Sequence, residues 1–111
     1  MKDQPELARI EVASTPEGTT LYVVGEIDLA NVDDVRGRLG GELRPPKVTI
    51  DMRQLRYIDS SGIRMLIEVA QLGEDRQIDL EVVVEPESLV ARVLALGQLE
   101  RIYAIRTTAP D

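Results

Sequence analysis

The chain has 111 residues, 43% hydrophobic but only 3% aromatic, with three Tyr and neither Phe nor Trp, so one core built from Leu, Val, Ile, Ala and Met is expected. Thirteen Lys and Arg against twenty Asp and Glu leave a formal charge of −7, the wrong sign for a protein that neutralises nucleic-acid phosphates or an anionic membrane surface. The absence of Cys and His removes thiol catalysis, disulfides, the commonest zinc ligands and the usual general base of serine hydrolases.

The start, Met1-Lys2-Asp3-Gln4-Pro5-Glu6, lacks the apolar run of a signal peptide, and no later stretch approaches the roughly 20 apolar residues that cross a bilayer. A cytoplasmic protein is expected, with no nucleic-acid or membrane partner, no metal and no cofactor. One domain over residues 1–111 is expected, with an ordered core at about 8–106.

Ile10 and Val12 alternate with Arg9, Glu11 and Ala13, Ser14 to Gly18 supply turn chemistry, and Leu21 to Val24 resume a strand pattern; this is a hairpin. After Gly25-Glu26-Ile27-Asp28, Asn31 is a candidate N-cap, with Asp33 and Asp34 in the first turn and Val32, Val35 and Leu39 at helical spacing up to Gly40-Gly41. Pro45-Pro46 breaks the chain, and Lys47 to Met52 reads as a strand. A second helix is expected from about Ser60 to Leu72 with Gly73 as its C-cap, then a strand through Ile78, Leu80, Val82 and Val84. A helix from Glu87 to Leu96, stopped by Gly97, and a short strand over Ile102 to Ile105 complete the order ββαβαβαβ. Alternation of strand and helix predicts an α/β domain whose mostly parallel mixed sheet has an antiparallel edge hairpin and helices packed on it.

The densest signal is Tyr57-Ile58-Asp59-Ser60-Ser61-Gly62-Ile63, where small polar residues stand between a strand and an apolar helix. Hydroxyls there sit at a helix N-terminus, whose unpaired N–H groups and dipole favour negative charge, including a phosphate carried by serine. At 100° per residue, Ile63, Leu66, Ile67 and Ala70 fall on one side, the side expected to pack on the sheet. Met65, Val69 and Leu72 make a second apolar stripe opposite, and Ser61 lines up with Met65, Glu68 and Leu72, whereas Ser60 leans toward Arg64 and Gln71. Either a neighbouring helix covers that stripe, or it is a surface on which a partner docks. On the docking account, charge at Met65 or Leu72 would lower partner affinity with little loss of stability.

Three segments together resemble the STAS domain in its small single-domain form, the anti-sigma factor antagonist: Gly25-Glu26-Ile27-Asp28, Ile58-Asp59-Ser60-Ser61-Gly62-Ile63 and Val93-Leu94-Ala95-Leu96-Gly97-Gln98-Leu99. The resemblance spans nearly the whole chain. It implies a partner-switching regulator of transcription that binds an anti-sigma factor when unphosphorylated. That anti-sigma factor is typically a serine kinase that inactivates the antagonist by phosphorylation, and a PP2C-type phosphatase reverses the mark. By position the acceptor is Ser61, with Asp28 and Asp59 close to it and Ser60 and Gly62 shaping the turn. Met65, Glu68, Val69, Leu72 and Arg64 would form the partner-binding strip. Arg64 departs from the resemblance, since the residue two after the motif glycine is often small.

Two other classes compete. A STAS-like scaffold or subunit of a transport or sensory complex would leave Ser61 unmodified. A hydrolase using Ser61 with Asp28 or Asp59 lacks a His or nearby Lys to activate the serine, so the chain is not expected to be an enzyme.

Overall fold

Residues 8–108 are described by the structure, a computed structural model. Strict alternation along Gly18 to Ile27 produces the ten-residue strand β2 (Gly18–Ile27), in which Thr19, Leu21, Val23, Gly25 and Ile27 are buried and the residues between them are half-buried. One face of this strand meets the helices. The expected hairpin is present: β1 (Ala8–Thr15) runs antiparallel to β2, from Ala8 opposite Gly25 to Thr15 opposite Gly18.

β3 (Lys47–Asp51) lies parallel to the first half of β2, and β5 (Asp79–Val84) parallel to β3. The edge strand β6 (Ala104–Thr107) pairs in parallel with β5. Between β3 and the second helix the chain makes a strand absent from the expected order, β4 (Leu55–Ile58), which pairs in parallel with the second half of β2. It is short and ends just before Asp59-Ser60-Ser61-Gly62, so its four residues carry too little alternation to be told from a loop. β3 and β4 follow one another along β2, so both Ile27 and Ile58 end beside the serine turn. Among the described residues the sheet has six strands in the order β1-β2-β3-β5-β6, with β4 joined to β2.

Helix α1 (Val32–Gly41) buries Val32, Val35 and Leu39, as its spacing predicted. Helix α2 (Ser60–Asp75) is longer than expected, because Gly73 does not cap it. Gly73 is buried inside the helix, and a Cβ there would stand 2.4 Å from Leu80 Cδ1. The residue is glycine because the helix approaches β5 closely at that point. Helix α3 (Leu89–Leu96) starts two residues later than expected, with the Ser88 hydroxyl accepting from the Ala91 N–H at 3.0 Å, and ends at Gly97. A 3₁₀ turn at Leu99–Arg101 leads to Tyr103, whose hydroxyl donates to the Leu66 carbonyl at 2.6 Å and ties the C-terminal segment to α2. Burial pushes that phenol well above its ordinary pKa.

The second apolar stripe of α2 is interior. Met65 and Val69 are buried, with relative exposures of 0% and 2%, and Leu72 is half-buried. Helix α1 lies against the Leu72 end of the stripe: a Cβ on Gly40 would lie 3.5 Å from Leu72 Cδ2, and Arg76 Nη1 donates to the Gly40 and Leu43 carbonyls at 2.9 and 3.3 Å. On the other side Leu66 is buried and Ile63 and Ala70 are half-buried, but Ile67 is 41% exposed rather than core. Gly62, Met65, Leu66, Val69 and Gly73 thus make one continuous buried face, with Gly62 against Ile58 and Ile27 and Gly73 against Leu80 of the sheet. Among the described residues no helix is long and apolar enough to cross a membrane.

Candidate functional site

Asp59 caps α2 and organises the serine turn. Its backbone is extended, and Oδ1 accepts from the Ser61 N–H at 3.0 Å, from the Gly62 N–H at 3.2 Å and from Ser61 Oγ at 2.5 Å. One carboxylate oxygen therefore receives two helix-terminal N–H groups and a hydroxyl. The Ser61 hydroxyl, followed by the N–H groups of Gly62, Ser61 and Leu29, holds the Asp59 carboxyl below the usual carboxylate range against the opposing effect of burial. Asp59 is thus ionised at neutral pH, and it orients the Ser61 proton inward so that the oxygen lone pairs face out. Its lowered pKa makes it a better orienter than proton acceptor.

Gly62 fixes how deeply the turn is seated. It is buried, and a Cβ there would come within 2.5 Å of Ile58 Cγ1 and 3.1 Å of Ile27 Cγ2. Only a residue without a side chain lets the first turn rest on the ends of β2 and β4, and Asp59 N–H reinforces the contact by donating to the Ile27 carbonyl at 3.3 Å.

The loop from β2 to α1 forms the opposite wall. Asp28 Oδ1 accepts from the Ala30 N–H at 2.9 Å, and the Asp28 carbonyl accepts from Val32 N–H at 2.9 Å. The Asp28 carboxylate thus builds its own turn, and among the described residues it makes no hydrogen bond to Ser61. Asn31 occupies the N-cap position of α1 without capping it. Its side chain instead accepts from the Asp28 N–H at 3.0 Å and donates to the Glu26 carbonyl at 2.8 Å, which pins the loop to the end of β2.

A shallow depression of about 370 Å³ opens between these walls, lined by Leu29, Val32, Asp33, Arg36, Asp59, Ser60, Ser61 and Arg64. Ser61 is half-buried, Ser60 and Arg64 are exposed, and Leu29 is 78% exposed at the rim. The structure brings Asp59, Ser60, Ser61 and Arg64 to one depression, whereas the helix faces placed Arg64 on the Ser60 flank, apart from the stripe headed by Ser61. It does not bring Met65, Val69 and Leu72 to the surface. Met65 and Val69 are core and Leu72 packs against it, which corrects the docking strip and leaves Arg64 and Glu68 as its exposed members.

Arg36 was not signalled by the sequence. It donates from Nε to Glu68 Oε1 at 2.8 Å and from Nη1 to Asp33 Oδ1 at 2.5 Å, joining α1 to α2 beside the depression. The Asp33–Arg36 spacing was legible as an i,i+3 pair, but Glu68 lies 32 residues away in sequence and only the packed helices place it there. Of the other arginines near the motif, Arg53 pairs with Asp51 at 2.8 Å and Arg56 approaches Glu26 at 3.7 Å. Among the described residues no group of three or more acidic, His or Cys side chains is placed to hold a metal ion.

A family model described as "Mlab, STAS domain" matches residues 10–106. Among solved structures, an anti-sigma factor antagonist from Mycobacterium paratuberculosis is similar with a TM-score of 0.82 and 19% identity, covering 96% of this chain and 92% of that one. An anti-sigma-factor antagonist (STAS) domain protein from Planctomyces limnophilus is similar at a TM-score of 0.72 and 16% identity, with 89% of each chain covered. The anti-sigma factor antagonist SpoIIAA in its unphosphorylated form gives a TM-score of 0.70 at 14% identity, again with 89% of each chain covered. No curated protein matches the chain. The identities are low enough that these structures speak to the fold alone. The family match over residues 10–106, together with the mixed sheet and the seated serine turn, makes this chain a member of the STAS domain family.

Proposed function

We propose that the protein is an anti-sigma factor antagonist that works by partner switching in the cytoplasm, with Ser61 as the residue that is modified. In its unphosphorylated form it binds an anti-sigma factor with serine kinase activity. In the modified form it lets that partner go, and a PP2C-type phosphatase restores it. The observation that carries this reading is the Ser61 hydroxyl, oriented by Asp59 at the N-terminus of a 16-residue helix and open to a depression large enough to admit a reacting group. In the transfer step Ser61 Oγ bonds to the γ-phosphorus of ATP, the bond to the ADP oxygen breaks, and the hydroxyl proton leaves its bond to Asp59 and passes to a base of the kinase.

The added phosphate carries about −1.5 to −2 charge and stands beside Asp59 and Asp33. An apolar or acidic partner seated over Leu29 and the serine turn is then repelled, while Asp59 and the phosphate compete for the same N–H groups. The test is incubation with ATP and the host's anti-sigma kinases, reading intact mass. One phosphoryl group is expected on the wild-type chain and none on Ser61→Ala; no modification by any of them would overturn the reading.

The second reading is a STAS scaffold in a transport or sensory complex. It is favoured by the same bond read differently, since a hydroxyl donating to the helix-capping carboxylate also completes a purely structural cap. Copurification with a transporter ATPase, with Ser61 unmodified, would establish it.

A further inference from the structure

The depression beside Ser61 is lined by two cations, Arg36 on α1 and Arg64 on α2, and two carboxylates, Asp33 and Asp59, and a third carboxylate, Glu68, is bonded to Arg36. We propose that Arg36 is the residue that receives the phosphate of phosphorylated Ser61, loosening its hold on Glu68 as it does so. The inference rests on Ser61 being the modified residue and specifies how that modification is read by the surface.

Arg36 suits this role by its tethering. Its guanidinium is held at the depression by two carboxylates, through Nε to Glu68 at 2.8 Å and through Nη1 to Asp33 at 2.5 Å. Five N–H groups are available to a guanidinium and two are engaged, so three remain, both of those on Nη2 among them, to meet phosphate oxygens. Arg64 is exposed and has no ion-pair partner among the described residues, so it must lose more side-chain freedom to bind the same group.

The exchange has a direction. A phosphoserine dianion carries more charge than Glu68 and offers three acceptor oxygens, so it competes for the guanidinium that Glu68 holds. Glu68 is 48% exposed as the pair stands. Losing part of Arg36, it leaves an uncompensated carboxylate on α2 about two turns from the phosphate. Modification at one atom is thereby spread along the exposed edge of α1 and α2 without moving either helix.

The test installs phosphoserine at position 61 during translation, so that no kinase is needed, and follows the phosphate ³¹P resonance as a function of pH. A neighbouring guanidinium favours the dianion, so Arg36→Ala is expected to raise the phosphate's proton affinity about threefold, the scale of an exposed ion pair. Arg36→Lys should fall between the two, and Glu68→Gln, which removes the competitor, should lower the proton affinity. Thermal melts of the unmodified variants check that each is folded. Coincident titrations of Arg36→Ala and its parent would overturn the inference, as would an effect confined to Arg64→Ala. Because the phosphate is placed without an enzyme, a chain that no kinase modifies would sink the proposed function while leaving this measurement intact.

Discussion

The first turn of α2 and its middle are parts of one helix in opposite surroundings. At the first turn three donors converge on Asp59 Oδ1 and half-buried Ser61 lines an open depression. One turn later Met65, Leu66 and Val69 are all buried in the core. A close-packed middle does not deform continuously. On the proposed function, a phosphate at the exposed end would act through surface charge and cap geometry rather than by sliding the helix.

The largest expected effect tests the closed middle. Met65→Lys should unfold the domain or cost at least about 3 kcal/mol, as an unpaired charge in a core does. Met65→Ala should cost about 2–5 kcal/mol, comparable with Leu66→Ala. Urea unfolding measures both, and a Met65→Lys chain as stable as the wild type would mean that α1 leaves the stripe open. Next comes the seat of the turn. Gly62→Ala forces a methyl against Ile58 and Ile27, both β-branched and stiff, and should cost about 1–3 kcal/mol.

A smaller effect is expected at the cap. Asp59→Ala should lose about 1 kcal/mol, the usual worth of an N-cap side chain. The folded-state pKa of Asp59 lies below its unfolded value, so its contribution is complete above the unfolded value of about 3.9 and disappears as pH falls through the folded one. The difference in unfolding free energy between wild type and Asp59→Ala should be flat from pH 7 to 5 and shrink below pH 4. A difference that grew on acidification would contradict an ionised cap. The smallest effect belongs to Ser61→Ala, which removes one hydroxyl bond and should cost no more than about 1 kcal/mol, so any large change in partner binding would be functional rather than structural.

The same comparison shows what was legible in the sequence. The hairpin, α1, β3, β5, α3 and the serine turn followed from alternation, helical spacing and turn chemistry, because each is encoded within a few neighbouring residues. β4 was missed because four residues hold little periodicity, and its pairing with β2 is set by a partner about 30 residues away. Gly73 looked like a helix stop because glycine commonly is one; the reason it is glycine lies in Leu80 on another element. The Met65–Val69 stripe was visible as apolar, yet a helix repeat says how many sides are apolar and not which of them are covered. Arg36 and Leu29 needed the folded loop to bring them beside Ser61. Asp28 was near in sequence pattern but turned to its own loop, where Ala30 N–H takes its carboxylate.

The central claim is that charge at Ser61 decides whether the anti-sigma factor is held. It is tested most directly by calorimetric titration of the host's anti-sigma factor with the unmodified chain, the Ser61→Ala variant and the chain carrying phosphoserine at 61. The unmodified chain and Ser61→Ala should bind alike, and the phosphorylated chain should bind at least tenfold more weakly, a difference of about 1.4 kcal/mol. Equal affinity of all three would contradict the account.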